Sequence, residues 1–579
     1  MASMSSVARC HHPTSVLAPL RRSSSASIPA RAVPVPVVAK ATASCRSFGG
    51  WRWPPSIRGG GRAVAESGAR AASSVTDDNA GGIGIADFYT GKNILITGGT
   101  GFVAKVLVEK ILRTNPTIGK IYIMVKAKDA QTALERLQKE VLDTELFKSL
   151  EEIHGKDYES FVASKLIPVV GNVRDPGVGI AIELAKEITE EVDIIVNMAA
   201  NTTFDERYDV AIDTNTLGPL RLMCFAHRFK RLKLFLHLST AYVMNNGPRR
   251  GVVLEEPLYL GEHQNAVLLD IEAEMKLAFD DSTRQLKRPA ASFHKEMRDL
   301  GTQRANLHGW PDTYVFTKAM GEMVINATRG QIPVVTMRPS IIESTLKDPF
   351  PGWIQGNRVM DPSILYYGKG QMSYFLADPD CVLDVVPVDV VVNAMVAAMA
   401  KHGGATATVP GSCLYHVTSS TTNPMAASDL GRYMYQHFSR WPLVDKAGRP
   451  ILVQPPSALG SMEELVRYVQ RDMEEGGNAE DMPPSLQRER RRLHAMAMEK
   501  QLLHLSRVYE PYTFCGGRFD SANTEALFAE MSAQEREMFQ FDVRSIDWMD
   551  YITNVHIPGL RKHVLKGRGD QHAVSGAAS

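Results

Sequence analysis

Lys92-Asn93-Ile94-Leu95-Ile96-Thr97-Gly98-Gly99-Thr100-Gly101-Phe102-Val103-Ala104 is the stretch that decides the fold. A short apolar run stops at glycine, and Val103, Val106, Leu107, Lys110 and Ile111 then recur at helical spacing. Strand, tight turn and helix in that order form the setting in which a glycine-rich string binds a dinucleotide. Gly98 permits the tight turn, Gly101 lets the backbone approach a pyrophosphate, and Ala104 is the small residue needed for helix-on-strand packing. The N–H groups at the helix start then face phosphate. Thr97, Gly98, Gly99, Thr100, Gly101, Phe102, Val103 and Ala104 are therefore the first candidate cofactor residues.

Further short apolar runs follow at 121–125, 166–170, 193–197, 234–238 and 334–338, with helical patterns between most of them. Strand alternating with helix predicts an α/β fold, a doubly wound parallel Rossmann sheet. The sheet domain spans 88–400, and the charged, mostly helical stretch 255–310 is an insertion far longer than a crossover needs. Residues 401–492 read as a connecting region, ending in an acidic, Pro-containing, then basic linker or helix start at 473–492. A smaller, mainly helical C-terminal domain occupies 493–565, and a Gly, Ser and Ala-rich tail, expected to be disordered, occupies 566–579.

The end of the second strand selects the cofactor. An acidic residue there would grip the ribose 2′-hydroxyl of NAD. This chain instead has Lys126 and Lys128, with Arg136 on the next helix. Cations suit a 2′-phosphate, so NADPH is the expected cofactor. Asn172 and Val173 follow the third strand, where an adenine contact is expected, and Ala199, Ala200 and Thr202 follow the fourth, where small residues let a cofactor lie flat. Asn215 is a candidate for ordering that region, with an ordinary helix-surface amide as the competing reading.

Tyr314 and Lys318 lie four apart, between the fifth and sixth strands. On a helix they share one face. An ammonium beside a phenol favours the phenolate, and such a tyrosine can give a proton to a carbonyl oxygen as hydride arrives. Lys318 can also hold the ribose hydroxyls. A hydroxyl just after the fifth strand would share the developing charge. Thr240 and Ser239 both qualify, and Thr240 is preferred because neighbours at a strand end point in opposite directions. His237 lies inside a buried run and reads as a core histidine.

The bulk composition narrows the class. A chain of 579 residues with 44% hydrophobic and 22% charged residues fits a globular protein of more than one unit plus tails. A net charge of +1 gives no basic stripe for nucleic acid. No run reaches the roughly 18 apolar residues that cross a bilayer, although peripheral membrane contact remains compatible. Six cysteines without Cys-x-x-Cys spacing read as reduced thiols, and no metal is expected. Residues 1–75 hold nine Arg and one Lys, and the first acidic residue is Glu66. This Ser-rich, acid-poor stretch reads as a disordered transit peptide for a plastid.

Downstream motifs add a resemblance. Arg338-Pro339-Ser340-Ile341-Ile342-Glu343, Pro349-Phe350-Pro351-Gly352-Trp353-Ile354 and Ser239-Thr240-Ala241-Tyr242-Val243 resemble the fatty acyl reductase family of extended short-chain dehydrogenases. Phe519-Asp520-Ser521-Ala522-Asn523, the 546–552 block around Asp547-Trp548 and His556-Ile557-Pro558-Gly559-Leu560 are similar to that family's C-terminal male-sterility domain. The resemblance implies cofactor contacts from Pro339, Ser340 and Ile341. It also implies NADPH-dependent reduction of a fatty acyl thioester to a primary alcohol through a bound aldehyde. The long N-terminus resembles the plastid branch of plant enzymes that serve the pollen wall. A plastid stroma would make acyl-ACP, on acyl carrier protein, the first choice over acyl-CoA. Where the family commonly has Gly-Asp after the third strand, this chain has Gly171-Asn172, whose amide oxygen can still accept from adenine N6. The acyl tunnel is expected from the 255–310 insertion, the Pro349 to Ile354 loop and the C-terminal domain. Two other readings are an extended dehydrogenase acting on a sterol or nucleotide sugar and a non-catalytic NADP-binding protein. The C-terminal motifs argue against the first, and the intact Tyr314, Lys318 and hydroxyl pair against the second.

Overall fold

The computed structural model describes residues 81–244, 251–260, 269–283, 290–404, 412–475 and 503–570. The proposed transit peptide at 1–75, most of the 473–492 linker and the tail beyond Asp570 lie outside the described residues. The described tail residues, 566–570, are half-buried or exposed, and Asp570 is held by an ion pair with Arg561.

Seven strands form one parallel sheet: β1 (Ile94–Thr97), β2 (Ile121–Val125), β3 (Leu166–Val170), β4 (Ile194–Asn197), β5 (Leu234–Leu238), β6 (Val334–Pro339) and β7 (Ser412–Val417). Their order is β7-β6-β5-β4-β1-β2-β3. The order reverses between β1 and β4, so the crevice for a ligand opens at the carboxyl ends of those two strands. Pro168 falls on β3, the edge strand, where its missing N–H costs no ladder bond. The stretch read as a connecting region thus supplies β7 and completes the sheet.

Both faces of the sheet are covered. Ile94, Ile96, Ile123 and Val196 pack with helices α1 (Phe102–Thr114) and α5 (Val388–Gly403). Leu95, Tyr122, Ile195 and Phe235 face the other way, toward Leu222 and Phe225 of α3 (Leu217–Ala226). Alternation along each strand explains the division. Helix α5 is buried on nearly every side up to Ala400, which explains why it is mostly apolar; its buried Asp389 and Asn393 are hydrogen-bonded to Leu346 N–H and the Gln540 carbonyl. Helix α2 (Tyr208–Asn215) and α4 (Thr313–Thr328) pack with the helical insertion, whose described helices are Ile271–Thr283 and Ala290–Leu307.

Among the described residues the C-terminal segment is mainly helical and has no separate core. Phe541, Trp548, Tyr551, Ile557 and Leu560 join the same buried cluster as α1 and α5. Its strand Gly517–Phe519 pairs in parallel with Gly251–Val253. Among the described residues no helix is long and apolar enough to cross a membrane.

Candidate active site

The glycine turn sits at the switch point. Gly98 has φ +68, and a Cβ there would lie 2.9 Å from the backbone of Ala199. Only glycine fits both demands. A Cβ on Gly99 would collide with Ile123, and one on Gly101 would press on the Gly98 carbonyl. Thr97 does not line the cavity. Its hydroxyl donates to Asn197 Oδ1 (2.9 Å) and accepts from the Met198 and Ala199 N–H groups, binding turn to β4. Helix α1 begins at Gly101 with no side-chain cap, so its first N–H groups are open to a phosphate. Phe102 stacks on Trp353 at 5.4 Å. The Trp353 loop thus supports the turn from behind.

The rim beyond β2 carries Lys126 and Arg136 into the cavity. Arg136 is also gripped by Glu140, at 2.7 and 2.9 Å. Lys128 is turned away, exposed, with Asp129 at 3.8 Å. Asn172 and Val173 line the cavity, although the Asn172 amide is engaged with Arg174 N–H and Asp175. Ala199, Ala200 and Thr202 line it too. Asn215 is buried and not a surface amide. It exchanges hydrogen bonds with the Asn201 backbone at 2.8 and 2.9 Å and donates to Thr317 Oγ1. It therefore orders the β4 loop without lining the cavity. Pro339, Ser340 and Ile341 line the cavity at the end of β6.

Tyr314 and Lys318 sit on the first turns of α4 and both line the cavity. Asp312 caps this helix by accepting from Val315 N–H at 3.0 Å. Lys318 is 3% exposed and donates to the Leu238 carbonyl at 2.6 Å. Burial lowers its pKa to about 8, against the raising effect of Glu322. Burial also pushes the Tyr314 phenol up, and Asp312 adds to that. The expected depression of the phenol by Lys318 is not found here, because the ammonium is spent on Leu238. His237 is a core residue, paired with Asn197 at 3.1 Å and kept neutral by burial.

Ser239 and Thr240 both line the cavity, so neighbouring positions do not exclude each other here. The chain leaves β5 at Leu238 and turns into the 241–244 helical turn, which breaks the strand alternation. Thr240 Oγ1 accepts weakly from Tyr242 N–H at 3.4 Å, whereas Ser239 Oγ is buried without a protein partner among the described residues.

Several residues near Tyr314 were not singled out from sequence. Phe204 meets its ring at 5.8 Å, and Tyr509 and Tyr512 pack on Phe204. Tyr512 also donates to Asp312. Asp312 directly before a helix is a readable cap signal. Nothing local announces that Tyr512, about two hundred residues on, joins it. Arg338, from the Arg-Pro-Ser motif, is fully buried and paired with Glu322 of α4 at 2.6 Å, which locks the Tyr314 helix to β6.

The cavity has a volume of about 1390 Å³. From the turn and Tyr314 it continues into an apolar lobe that includes Met372, Phe375, Leu376, Leu383, Leu430 and Met434. This corrects two of the three expected walls of the tunnel; the C-terminal segment contributes as expected. Among the described residues neither the 255–310 insertion nor the Pro349 to Ile354 loop lines the cavity. Its walls come from 357–383, 427–435 and 455–458, closed by 505–513. The insertion instead packs on α2 and α4, and Trp353 packs behind Phe102.

A switch-point turn with a Tyr-x-x-x-Lys helix beside it defines a nicotinamide-nucleotide-binding reductase of Rossmann fold. Male sterility protein models match residues 96–395 and 485–567. The chain is 51% identical over 499 residues to a chloroplastic fatty acyl-CoA reductase 2 of Arabidopsis thaliana, covering 84% of this chain and 80% of that one. It is 38% identical over 491 residues to an alcohol-forming fatty acyl-CoA reductase of Simmondsia chinensis, covering 83% and 99%. The terminal R domain of the myxalamid PKS-NRPS pathway shares the fold, with TM-score 0.53 and 15% identity over 82% of this chain and 91% of that one. The chain belongs to the male sterility family of fatty acyl reductases.

Proposed function

We propose that this protein reduces long-chain fatty acyl thioesters to primary fatty alcohols with NADPH, through a bound aldehyde. The observation that carries the reading is the continuity of one cavity from the cofactor turn, past Tyr314 and Ser239, into the apolar lobe. Its volume exceeds the roughly 300–1,000 Å³ of ordinary small-molecule sites, which suits a dinucleotide together with an acyl chain. The printed names of the two plant relatives, one alcohol-forming, support the same reaction.

The residues fit a dinucleotide: a turn whose glycines leave no room for a Cβ, uncapped helix N–H groups and small residues just after β4. The α1 N-terminus would hold the pyrophosphate, Lys126 and Arg136 the 2′-phosphate, and Lys318 the ribose. Lys128, turned to solvent, would take a lesser part. Asn172 and Val173 would border the adenine. Pro339, Ser340 and Ile341 would flank the nicotinamide end. NADPH, when bound, supplies one hydride for each of two successive reductions.

In the first reduction the Ser239 and Thr240 hydroxyls hold the thioester oxygen as it becomes an oxyanion. Ser239 carries the larger part, since its hydroxyl has no other partner among the described residues. Collapse of the tetrahedral oxyanion breaks the C–S bond and leaves an aldehyde and a thiolate, which takes a proton from water on release. In the second reduction Tyr314 gives its phenolic proton to the alkoxide. Lys318, released from Leu238 to the ribose, brings its charge beside the phenol and eases that transfer. The surrounding Phe204, Tyr509 and Tyr512 rings exclude water from the aldehyde.

The acid-poor N-terminus and the chloroplastic relative support a plastid stroma, and hence acyl-ACP ahead of acyl-CoA. The description of the family as male sterility proteins supports use of the alcohol in the pollen wall. The test gives protein lacking residues 1–75 NADPH with palmitoyl-ACP or palmitoyl-CoA, products being read by mass. Hexadecanol is expected, with higher kcat/KM on the ACP thioester. Neither aldehyde nor alcohol from either carrier would defeat the reading. A fluorescent fusion to residues 1–75 is expected in plastids, and a cytosolic signal would defeat the location.

A further inference from the structure

Behind the cavity wall, three ionisable side chains distant in sequence meet in the interior. Glu343 ends the short strand Ile341–Glu343, Asp361 begins the helix Asp361–Gly368, and His556 ends the helical turn Tyr551–His556. All three are at most 1% exposed. His556 Nε2 lies 3.1 Å from Asp361 Oδ1 and 3.8 Å from Glu343 Oε2. One ligand atom from each falls within 4.8 Å of the others.

Their remaining bonds fix what they point at each other. His556 Nδ1 is 3.1 Å from Ser344 Oγ, which in turn meets Tyr551 Oη at 3.3 Å. Asp361 Oδ2 accepts from Arg358 N–H at 2.9 Å. Both Glu343 oxygens, Asp361 Oδ1 and His556 Nε2 have no hydrogen-bond partner among the described residues. The tautomer with Nδ1–H donating to Ser344 leaves the Nε2 lone pair facing carboxylate oxygens, as a metal ligand requires. Converging acceptors in a dry interior require a cation.

We propose that Glu343, Asp361 and His556 bind a divalent first-row metal ion, Zn²⁺ foremost, in a closed structural site that fastens the C-terminal segment to the reductase fold. An ion bound at about 2.0–2.2 Å places its ligands roughly 3.3–3.6 Å apart, close to the separations observed. Two carboxylates and a neutral imidazole balance a divalent charge. Glu343, with both oxygens unpartnered, can supply two of four positions. One imidazole with few oxygens suits zinc better than Mg²⁺ or Ca²⁺, which take six or more oxygen ligands. The Ser344 contact on Nδ1 is the outer-shell bond that fixes a metal-bound histidine. The competing cation is a proton.

The test uses the full chain, purified without chelator, and reads metal by mass spectrometry. About one zinc ion per chain is expected, with loss of that ion in Glu343→Gln and His556→Asn. Co²⁺ added to chelator-stripped protein should give the visible absorption of a tetrahedral site. Chelator should lower the melting temperature of the native chain and leave Glu343→Gln unmoved. Ser344→Ala, which keeps all three ligands, should retain its fold and weaken zinc about 10–100-fold. A native chain free of metal, whose melting responds to neither chelator nor Zn²⁺, would overturn the proposal. So would zinc retained in Glu343→Gln and His556→Asn alike.

Discussion

Lys126→Ala probes how the chain selects its cofactor. Two cations of the rim line the cavity, but they are not equivalent. Arg136 is ionised against Glu140, which it holds below the usual carboxylate range, and its remaining nitrogen donates to the Lys126 carbonyl. Part of its charge is therefore already neutralised. The ion pairs of this rim, Arg136–Glu140 and Lys128–Asp129, leave Lys126 out. Lys126 should thus make the stronger charge-assisted bond to a 2′-phosphate, which is worth about 1.5–3 kcal/mol. Its removal should weaken NADPH binding roughly 10- to 100-fold and leave NADH binding nearly unchanged. Glu140→Gln, which frees Arg136, should tighten NADPH several-fold. Nucleotide fluorescence titration of both cofactors reads these changes. Equal weakening of NADPH and NADH by Lys126→Ala, or no weakening of either, would refute the reasoning.

Tyr314→Phe should lower kcat on an added long-chain aldehyde about 10²–10⁴-fold with NADPH affinity retained, as steady-state kinetics beside a binding titration would show. Lys318→Met should be inactive yet more stable at pH 7. Burial lowers the Lys318 pKa from 10.5 to about 8, so keeping it charged costs the folded state on the order of 3 kcal/mol below pH 8. That cost shrinks as pH rises from 8 toward 10.5. The melting advantage of Lys318→Met should shrink over the same window, offset throughout by about 1 kcal/mol for the lost Leu238 bond. Glu322→Gln strands the fully buried Arg338 and should destabilise by about 3–5 kcal/mol, read by denaturant unfolding.

The fold was legible wherever burial on both faces left a continuous apolar run. Six of the strands, the turn and the Tyr314–Lys318 face follow from such local patterns. Strand β7 was not legible because Ser412, Cys413 and His416 interrupt its apolar character. They are tolerated at the sheet edge, where His416 bonds to Glu255 and the C-terminal segment. Asn215 was ambiguous because helix periodicity does not report that Asn201 and Thr317 cover it. Ser239 and Thr240 could not be ranked by strand alternation, since the strand ends before them. The apolar lobe is built from four separate stretches whose members share no period, so only the assembled chain brings them together. The Glu343, Asp361 and His556 cluster has no ligand spacing in sequence for the same reason.

The most direct measurement of the central claim is the reducing stoichiometry of one turnover sequence. Protein lacking residues 1–75 is mixed with palmitoyl-ACP and NADPH, and NADPH oxidised is counted against thiol released. The account predicts about two NADPH per thiol with hexadecanol as product, because Tyr314 and Lys318 serve an aldehyde that stays in the same cavity. About one NADPH per thiol with free hexadecanal accumulating, or NADPH oxidation without thiol release, would contradict it.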